Sequence, residues 1–169
     1  MYIGGGFETI DRNVYPTSSV ELKSISSNKS CRIQSLNYGL TYHASVVTPI
    51  GVITCGGKTL YGRARKECVR LTDQNTWVPF PSMNVPHFLF EIIVIGEILI
   101  AFGDDDSGNV FEMINWRSEN KWKLIALSKT FLNPCVTKWN DENILITGGR
   151  KSVNKPRHYV SNTNIKRLI

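Results

Sequence analysis

Short runs of hydrophobic residues that end in glycine recur at a regular interval along the chain. Each run holds β-branched or other large apolar residues and then meets glycine, which favours a short β-strand that stops at a tight turn. Counted from one glycine anchor to the next, the intervals are 51, 47 and 45 residues. The runs and their anchors are MYIGGG with Gly5, VITCGG with Gly56, LIAFGD with Gly103 and LITGG with Gly148. A regular interval of this length predicts a repeated structural unit.

Tryptophan is a second marker, and it follows the glycine at a similar distance in two of the units. Trp77 lies 21 residues after Gly56, and Trp122 lies 19 residues after Gly103. Three of the units also have a strand-like run before the run that ends in glycine, with turn-forming residues between the two, and two units have a short alternating run after the glycine. The runs before the glycine are 42–47, 88–95 and 135–139, and those after it are 68–71 and 110–114. A complete unit is therefore predicted to form four short antiparallel strands.

The units divide the chain into one series of repeats. Residues 42–80 and 88–125 carry all four predicted strands, whereas residues 1–36 and 134–169 carry only part of the pattern, with Cys31 near the place where the first unit would have its tryptophan. One four-stranded sheet cannot bury both of its faces, so neighbouring units are expected to stack face to face. The indoles would fill the space between outer strands, with each N–H bonded to a carbonyl. We therefore predict a single all-β domain over residues 1–169.

The two markers together resemble the kelch repeat, whose hallmarks are a diglycine after a hydrophobic run and an aromatic residue further along. They stand here as Gly56, Gly57 and Trp77, then Gly103 and Trp122, then Gly148 and Gly149. The third unit departs from the pattern, since Asp104 takes the place of its second glycine. The resemblance implies a β-propeller segment of four-stranded antiparallel blades, two complete and two partial, in an incomplete ring. A β-sandwich is the alternative architecture, because it also uses many short strands.

The same resemblance implies a non-catalytic module for protein–protein interaction. Kelch propellers serve as adaptors and scaffolds, including substrate-recognition parts of ubiquitin ligases and actin-associated scaffolds. An extracellular adhesion or matrix protein of the kelch type is the alternative function. A fragment of a copper enzyme similar to galactose oxidase is a further alternative, but its tyrosines and histidines would have to come from blades that this chain lacks. We expect no enzymatic activity and no cofactor.

Charge and hydropathy narrow the classes of partner. The net charge is +6, but the 20 basic residues are scattered, so a nucleic-acid partner is not expected. The longest apolar run, residues 88–103, is interrupted by Glu91, Gly96 and Glu97, which argues against a transmembrane helix. The amino terminus shows no signal-peptide pattern and begins as though cut from a longer chain. A cytoplasmic location is the expectation, and an extracellular one is the alternative.

The cysteines are Cys31, Cys55, Cys68 and Cys135, and their spacing contains no CxxC pair, so no zinc site is expected. Cys55 ends the second predicted strand of its unit and Cys68 begins the third, so a disulfide between them would close the loop that joins these strands. The pattern CGG…C resembles kelch proteins of animal extracellular type, and the NKS sequon at Asn28 would fit a secreted loop. The alternative is four reduced cysteines in a cytosolic protein.

An acidic stretch, DDDSGN at residues 104–109, raises the question of a calcium site. Its glycine falls one place too early for an EF-hand loop, and Asn115 would occupy the position of the last ligand. A solvated loop between strands is therefore expected there, and no metal site is predicted.

The loops between the second and third strands of successive units are expected to lie at one end of the sheets. They carry alternating charge, which would steer a polar protein or peptide partner. We predict these residues as the binding surface: Arg63, Arg65 and Lys66, then Asp104, Asp105 and Asp106, then Arg150 and Lys151. Self-association through open sheet edges is a further expectation.

Overall fold

The computed structural model describes residues 2–105, 108–125, 132–141, 143–150 and 160–164. These residues form 16 β-strands and contain no helix. Neighbouring strands pair antiparallel in every sheet. The prediction of an all-β fold that contains four-stranded antiparallel sheets is therefore confirmed for the described residues.

Four main sheets follow one another along the chain. The first contains β1 (Tyr2–Gly4), β4 (Val20–Lys23) and β5 (Ser30–Arg32), and a separate hairpin of β2 (Phe7–Ile10) and β3 (Asn13–Pro16) is inserted after β1. The second contains β6 (Ala44–Thr48), β7 (Gly51–Cys55), β8 (Cys68–Leu71) and β9 (Trp77–Phe80). The third contains β10 (Phe88–Ile95), β11 (Ile98–Asp105), β12 (Gly108–Asn115) and β13 (Lys123–Ile125). The fourth contains β14 (Leu132–Lys138), β15 (Asn143–Arg150) and β16 (Val160–Asn164).

The sheets stack face to face, with a hydrophobic core between each sheet and the next. Because successive side chains of a strand point to opposite faces, β10, β11 and β12 of the third sheet each contribute to two cores. These cores contain Val20, Leu36, Leu40, Val69 and Trp77 between the first and second sheets, Ile53, Met83, Ile92, Leu99 and Ile114 between the second and third, and Ile95, Ile100, Phe102, Phe111, Ile144 and Ile146 between the third and fourth.

This stacking explains the long apolar run at residues 88–103. Ile92 and Leu99 pack towards the second sheet, whereas Ile95 and Ile100 pack towards the fourth. A strand covered on both faces is apolar at nearly every position and loses the usual alternation. Among the described residues, no helix is long and apolar enough to cross a membrane.

Two glycine pairs repeat the same backbone geometry. Gly5 and Gly6 have φ of 68° and 101°, and Gly56 and Gly57 have φ of 64° and 91°. The Gly6 N–H donates to the Leu40 carbonyl at 2.7 Å, and the Gly57 N–H donates to the His87 carbonyl at 2.8 Å. Each pair thus follows a strand, β1 or β7, and ties its end to the connection that leads into the next sheet. A side chain would be strained by this φ at every one of the four positions.

The third sheet departs from this geometry. Gly103 lies inside β11, which continues to Asp105 without a glycine turn. Gly103 is needed for a different reason, since an added Cβ would lie 2.2 Å from the Cβ of Phe90. Gly148 and Gly149 likewise lie within β15.

The two tryptophans make equivalent contacts in successive sheets. The Trp77 indole N–H donates to the carbonyl of Gln34, and the Trp122 indole N–H donates to the carbonyl of Pro81, both at 2.8 Å. Each acceptor lies 43 or 41 residues earlier, on the segment that follows the outer strand of the preceding sheet. Trp122 is buried, as predicted for the indoles, whereas Trp77 is only half-buried. The indoles therefore join each sheet to the one before it.

Candidate protein-binding surface

The hairpin β2–β3 stands outside the four main sheets. Its turn has two residues, Asp11 and Arg12, with φ of 49° and 67°. Positive φ at both central positions defines the type I′ turn, whose twist matches that of the two strands. Sequence reasoning missed this hairpin, although two four-residue strands separated by two turn residues are a recognisable signal.

Apolar side chains are exposed on both faces of the hairpin. Cross-strand partners share a face, so Phe7 and Val14 lie on one face and Ile10 and Tyr15 on the other. Their exposed fractions are 55%, 57%, 51% and 38% respectively. The Phe7 ring also contacts the Tyr42 ring edge-on, with 5.7 Å between the centroids, and Tyr42 itself is exposed. An isolated two-stranded sheet with large apolar groups open to water is marginally stable by itself.

The outer edge of β2 is open to another strand. In a hairpin closed by a two-residue turn, the two residues that flank the turn form backbone hydrogen bonds with each other. The next cross-strand pair of residues forms none, and bonded and non-bonded pairs alternate away from the turn. The Thr17 N–H donates to the Gly6 carbonyl at 2.9 Å, in agreement with this alternation. The main-chain groups of Phe7 and Thr9 therefore point away from β3. Among the described residues, β2 pairs with no strand except β3.

The basic loop, residues 58–67, connects β7 to β8. Arg63 and Lys66 are exposed and form no ion pair with a described side chain. Arg65 differs, because its Nε lies 2.9 Å from Glu67 Oε2 and its guanidinium stacks 4.4 Å from the centre of the Tyr38 ring. Of the three cations predicted to bind a partner, Arg65 therefore holds the loop in place, while Arg63 and Lys66 face solvent. Two exposed apolar residues, Leu60 and Tyr61, lie in the same loop.

Backbone hydrogen bonds bring the hairpin and the basic loop to one end of the sheets. The segment that joins them is residues 40–42, since the Leu40 carbonyl accepts from the Gly6 N–H and the Thr41 N–H donates to the Lys58 carbonyl at 3.0 Å. The Lys58 ammonium lies 3.4 Å from the centre of the Phe88 ring, at the start of β10. This end of the sheets contains the hairpin β2–β3, the basic loop and Tyr42. We call it the hairpin end.

The predicted acidic loop is largely strand. Asp104 and Asp105 belong to β11 and pair with Asn109 and Gly108 of β12, while Asp106 lies outside the described residues. Asp104 also pairs with Phe88, which places the end of β11 at the hairpin end. At the fourth sheet, Arg150 is the last residue of β15 and pairs with Leu132, and Lys151 lies outside the described residues.

A disulfide lies beneath the basic loop. Cys55 and Cys68 are cross-strand partners whose Cα atoms are 4.1 Å apart, and the bond between them is buried. Cys31 and Cys135 are free and exposed. The carboxylate of Glu91, together with partial burial, raises the pKa of the Cys135 thiol, which lowers its thiolate fraction and its reactivity.

A buried polar network joins the second and third sheets, and sequence reasoning missed it. Glu112 is fully buried and accepts hydrogen bonds from the Asn84 N–H at 2.7 Å, the Asn84 side-chain amide at 2.6 Å, the Val85 N–H at 3.1 Å and the His87 Nε2 at 3.1 Å. Burial acts to raise the pKa of Glu112, but the bonds from His87, Asn84 and Val85 outweigh burial and hold this pKa below its ordinary value. With His87 also fully buried, the pair supports the connection and is closed to any ligand.

One cleft among the described residues is too small to hold a ligand of ordinary size. This cleft, of about 20 Å³, lies between the first two sheets and is lined by Tyr38, Thr54, Glu67 and Trp77 among others. This volume suits about one water molecule, whereas ligand sites occupy several hundred Å³. In the part of the chain that the structure describes, no three His, Cys, Asp or Glu side chains are grouped to hold a metal ion.

Comparison with known proteins supports the fold without assigning a family. No protein-family model matches the chain, and no curated protein matches it. Among solved structures, the chain is similar to that of YjhT, with a TM-score of 0.74 and 10% sequence identity. The match covers 88% of this chain and 55% of the YjhT chain, so this chain spans about half the length of the structure that it resembles. At this identity the likeness concerns the fold alone.

Proposed function

We propose that the chain is a non-catalytic protein-interaction module, built as part of a kelch-type β-propeller. Three observations support the propeller: the face-to-face stacking of successive sheets, the repeated Gly-Gly geometry at Gly5 and Gly56, and the equivalent indole bonds of Trp77 and Trp122. In this proposal each main sheet is one blade, and adaptor or scaffold proteins of the kelch type are the functional model. Residues 44–80 and 88–125 form the four-stranded blades.

The observation that carries the interaction role is the unpartnered hairpin at the hairpin end. Phe7, Ile10, Val14 and Tyr15 expose apolar surface on both of its faces. Exposed apolar groups gathered on one element, with unpaired cations nearby, are typical of protein-binding surfaces. The partner proposed is a protein or peptide, and Arg63 and Lys66 would attract its acidic side chains.

The proposed mode of binding is addition of an extended partner segment along β2. The edge of β3 is less suitable, because Pro16 has no N–H and an added Cβ on Gly39 would lie 2.2 Å from the Pro16 carbonyl oxygen. Along β2, Phe7 and Thr9 offer main-chain donors and acceptors that a partner strand would satisfy. Main-chain bonds would supply affinity, while Phe7 and Ile10 would select apolar side chains on the two faces.

Binding along the edge of β2 is tested by removing one backbone hydrogen-bond donor of that strand. A displayed peptide library is selected on the wild-type protein, and the affinity of the selected peptides is measured by fluorescence anisotropy. Thr9→Pro removes the outward N–H and is expected to weaken binding about 3–10-fold, the range for one hydrogen bond. Thr9→Ala keeps that N–H and serves as the matched control, with nearly unchanged affinity. Equal binding by both variants would exclude strand addition, and failure to select any peptide would count against the interaction role itself.

The cations are tested separately through association kinetics. Arg63→Glu combined with Lys66→Glu is expected to slow association with an acidic selected peptide and to reduce its dependence on salt. The melting temperature should hardly change, because both side chains are exposed. Lys121→Glu is the control, since Lys121 is exposed on the connection between β12 and β13, away from the hairpin end. An unchanged association rate would remove these two residues from the binding surface.

One observation favours a second candidate function, that of an extracellular kelch-type protein. The disulfide between Cys55 and Cys68 is of a kind that persists in oxidising compartments and is rare in the cytosol. A cytoplasmic adaptor would hold this pair reduced. Alkylation of free thiols in protein isolated from its natural source, without added reductant, decides between the two locations: labelling at Cys31 and Cys135 alone supports the extracellular candidate, and labelling of all four cysteines supports the cytoplasmic one.

Self-association through open sheet edges stays a prediction. The edge strands of the first and fourth main sheets among the described residues are β1, β5, β14 and β16. Light scattering over a concentration series would detect it, as a mass that rises above 19.1 kDa.

A further inference from the structure

We propose that Asn28 is an acceptor for an N-linked glycan. It begins the tripeptide Asn28-Lys29-Ser30, which is the one Asn-x-Ser/Thr sequence in the 169 residues. The inference rests on the extracellular candidate function, because this modification belongs to the secretory pathway. Three structural features carry it: the accessibility of the tripeptide, the state of its two reacting side chains, and its position relative to the hairpin end.

Asn28 and Lys29 lie on an exposed segment between β4 and β5, and Ser30 is the first residue of β5. All residues from Ser24 to Ser30 are exposed, and Asn28 has a φ of 52°. Asparagine tolerates this left-handed conformation better than most residues do, so Asn28 occupies the position between the turn and β5 without a need for glycine. A glycan on a turn of this kind would displace no packed side chain.

The turn is held by groups other than those that would react. The Ser24 N–H donates to the Lys29 carbonyl at 2.8 Å, and the Ser27 N–H donates to the Ser24 hydroxyl at 3.2 Å. The structure shows no hydrogen bond to the side chain of Asn28 or Ser30 within the described residues. Both the amide of Asn28 and the hydroxyl of Ser30 are therefore accessible to a transferase.

The chemistry is a transfer from a lipid pyrophosphate-linked oligosaccharide. Nδ2 of Asn28 forms a bond to C1 of the first sugar, the bond from C1 to the pyrophosphate oxygen breaks, and the lipid pyrophosphate leaves. The Asn28 amide nitrogen loses one proton in the exchange. No oxidant or reductant is required.

The position of the turn keeps the glycan away from the proposed binding surface. β1 runs towards the hairpin end, where Gly5 and Gly6 lead into β2, and the antiparallel β4 runs back from it. The turn after β4 therefore lies at the opposite end of the first sheet. A glycan at Asn28 would leave the edge of β2 free for a partner.

The acceptor is tested in the full chain, expressed with an added signal peptide in mammalian cells. Treatment with a peptide-N-glycosidase in heavy-oxygen water is expected to shift the wild-type band and to convert Asn28 into heavy-oxygen-labelled Asp in the mass spectrum. Asn28→Gln and Ser30→Ala should lose the shift, whereas Ser30→Thr should retain it. Asn120→Gln, which alters an exposed asparagine outside any sequon, is the matched control and should also retain the shift.

Two results would overturn the proposal, and they are distinguishable. A secreted wild-type protein with an intact Cys55–Cys68 bond and an unmodified Asn28 would exclude the site while leaving the extracellular candidate standing. Protein from its natural source with all four cysteines reduced and no glycan would remove the extracellular candidate, and the Asn28 inference with it.

Discussion

Single residues at the sheet interfaces hold the connections between sheets. Glu112 illustrates this at the interface of the second and third sheets, where one carboxylate accepts bonds from three residues of the connection 84–87. A buried carboxylate without partners would be strongly destabilising, so all of its acceptor sites must be used. The equivalent position in the second sheet is Val69. Val69 pairs with Thr54 there, as Glu112 pairs with Ala101 in the third sheet. The charge is therefore specific to one interface.

Glu112→Gln is expected to destabilise the fold. An amide nitrogen cannot accept a hydrogen bond, so at least one donor from Asn84, Val85 or His87 loses its partner. The free energy of unfolding should fall by about 2–3 kcal/mol at neutral pH, as measured by urea denaturation. The variant Glu119→Gln is the control, because Glu119 accepts from Lys123 at the surface. A change of equal size in both variants would contradict a special role for Glu112.

The same carboxylate predicts a dependence on pH. Its pKa is lowered in the folded state, so the folded protein binds fewer protons there than the unfolded chain does. The contribution of Glu112 to stability is therefore complete above the pKa of an unfolded glutamate, about 4.3, and is lost as the pH falls through the lower folded pKa. The stability difference between wild type and Glu112→Gln should narrow in that acidic range, as measured by chemical denaturation at stepped pH.

Gly57 combines a positive φ with close contacts to the segment that leads into β6. Gly57→Ala would combine a strained φ with a Cβ only 2.7 Å from the Thr41 carbonyl oxygen and 2.8 Å from the Cβ of His43. Its unfolding free energy should fall by about 2–4 kcal/mol. Gly62→Ala is the matched control: Gly62 has a φ of 71° but nothing within 4 Å of an added Cβ, so only the conformational term of about 1 kcal/mol is expected there. Thermal and chemical unfolding of the two variants would separate the effects, and equal losses would show that packing at Gly57 is unimportant.

At the scale of elements, the inserted hairpin differs from the strands of the main sheets. Each strand from β6 to β12 packs at least one side chain into a core between two sheets, whereas β2 and β3 form a sheet of two strands with apolar groups exposed on both faces. The type I′ turn at Asp11 and Arg12 is therefore a large part of what organises the hairpin. Arg12 is an unfavourable residue for it, since positive φ suits glycine.

Arg12→Gly is accordingly expected to stabilise the hairpin. Relief of strain exceeds the entropic penalty of glycine by about 0.5–1 kcal/mol, so amide protection within β2 and β3 should rise about 2–5-fold. Hydrogen exchange followed by mass spectrometry or NMR provides the measurement. Asn13→Gly, which places glycine in a strand position without positive φ, should lower protection in the same hairpin. Increased protection in both variants would indicate that the turn geometry is not the cause.

At the scale of the whole molecule, the stack of sheets predicts a gradient of stability. The third sheet is covered by neighbours on both faces, and its residues Leu99, Ile100, Ala101 and Phe102 are at most 1% exposed. In a stack of repeats each unit is stabilised mainly by its neighbours, so an inner sheet opens less often than a peripheral element.

Amide exchange is therefore expected to be slowest in β10, β11 and β12 and fastest in the hairpin β2–β3. Binding of a selected peptide along β2 should slow exchange in the hairpin while leaving β11 unchanged. Hydrogen exchange with and without peptide provides both measurements. A hairpin as well protected as β11 in the free protein would contradict the gradient.

The features that could be predicted from the sequence are those that depend only on residues close to one another along the chain. The strands around Gly56 and the run 88–103 were predictable, because alternation and apolar runs record which faces a strand buries. The end of β7 at Gly56 and Gly57 was also predictable, because glycine adopts positive φ without strain and so marks the end of a strand locally. Cys55 and Cys68 could be placed on adjacent strands, while the choice between disulfide and thiols stayed open.

The rest depended on contacts between segments distant in the sequence. Arg63 and Arg65 are alike in sequence, and only the proximity of Tyr38 and Glu67 makes Arg65 part of the scaffold and leaves Arg63 exposed. In the sequence, Glu112 resembles an ordinary polar position of an alternating strand. Its role depends on the connection that contains His87, which lies 25 residues earlier and packs over it in the structure. The free energy of a polar side chain is set by its solvent exposure and its partners, and both of these exist only once the sheets are stacked.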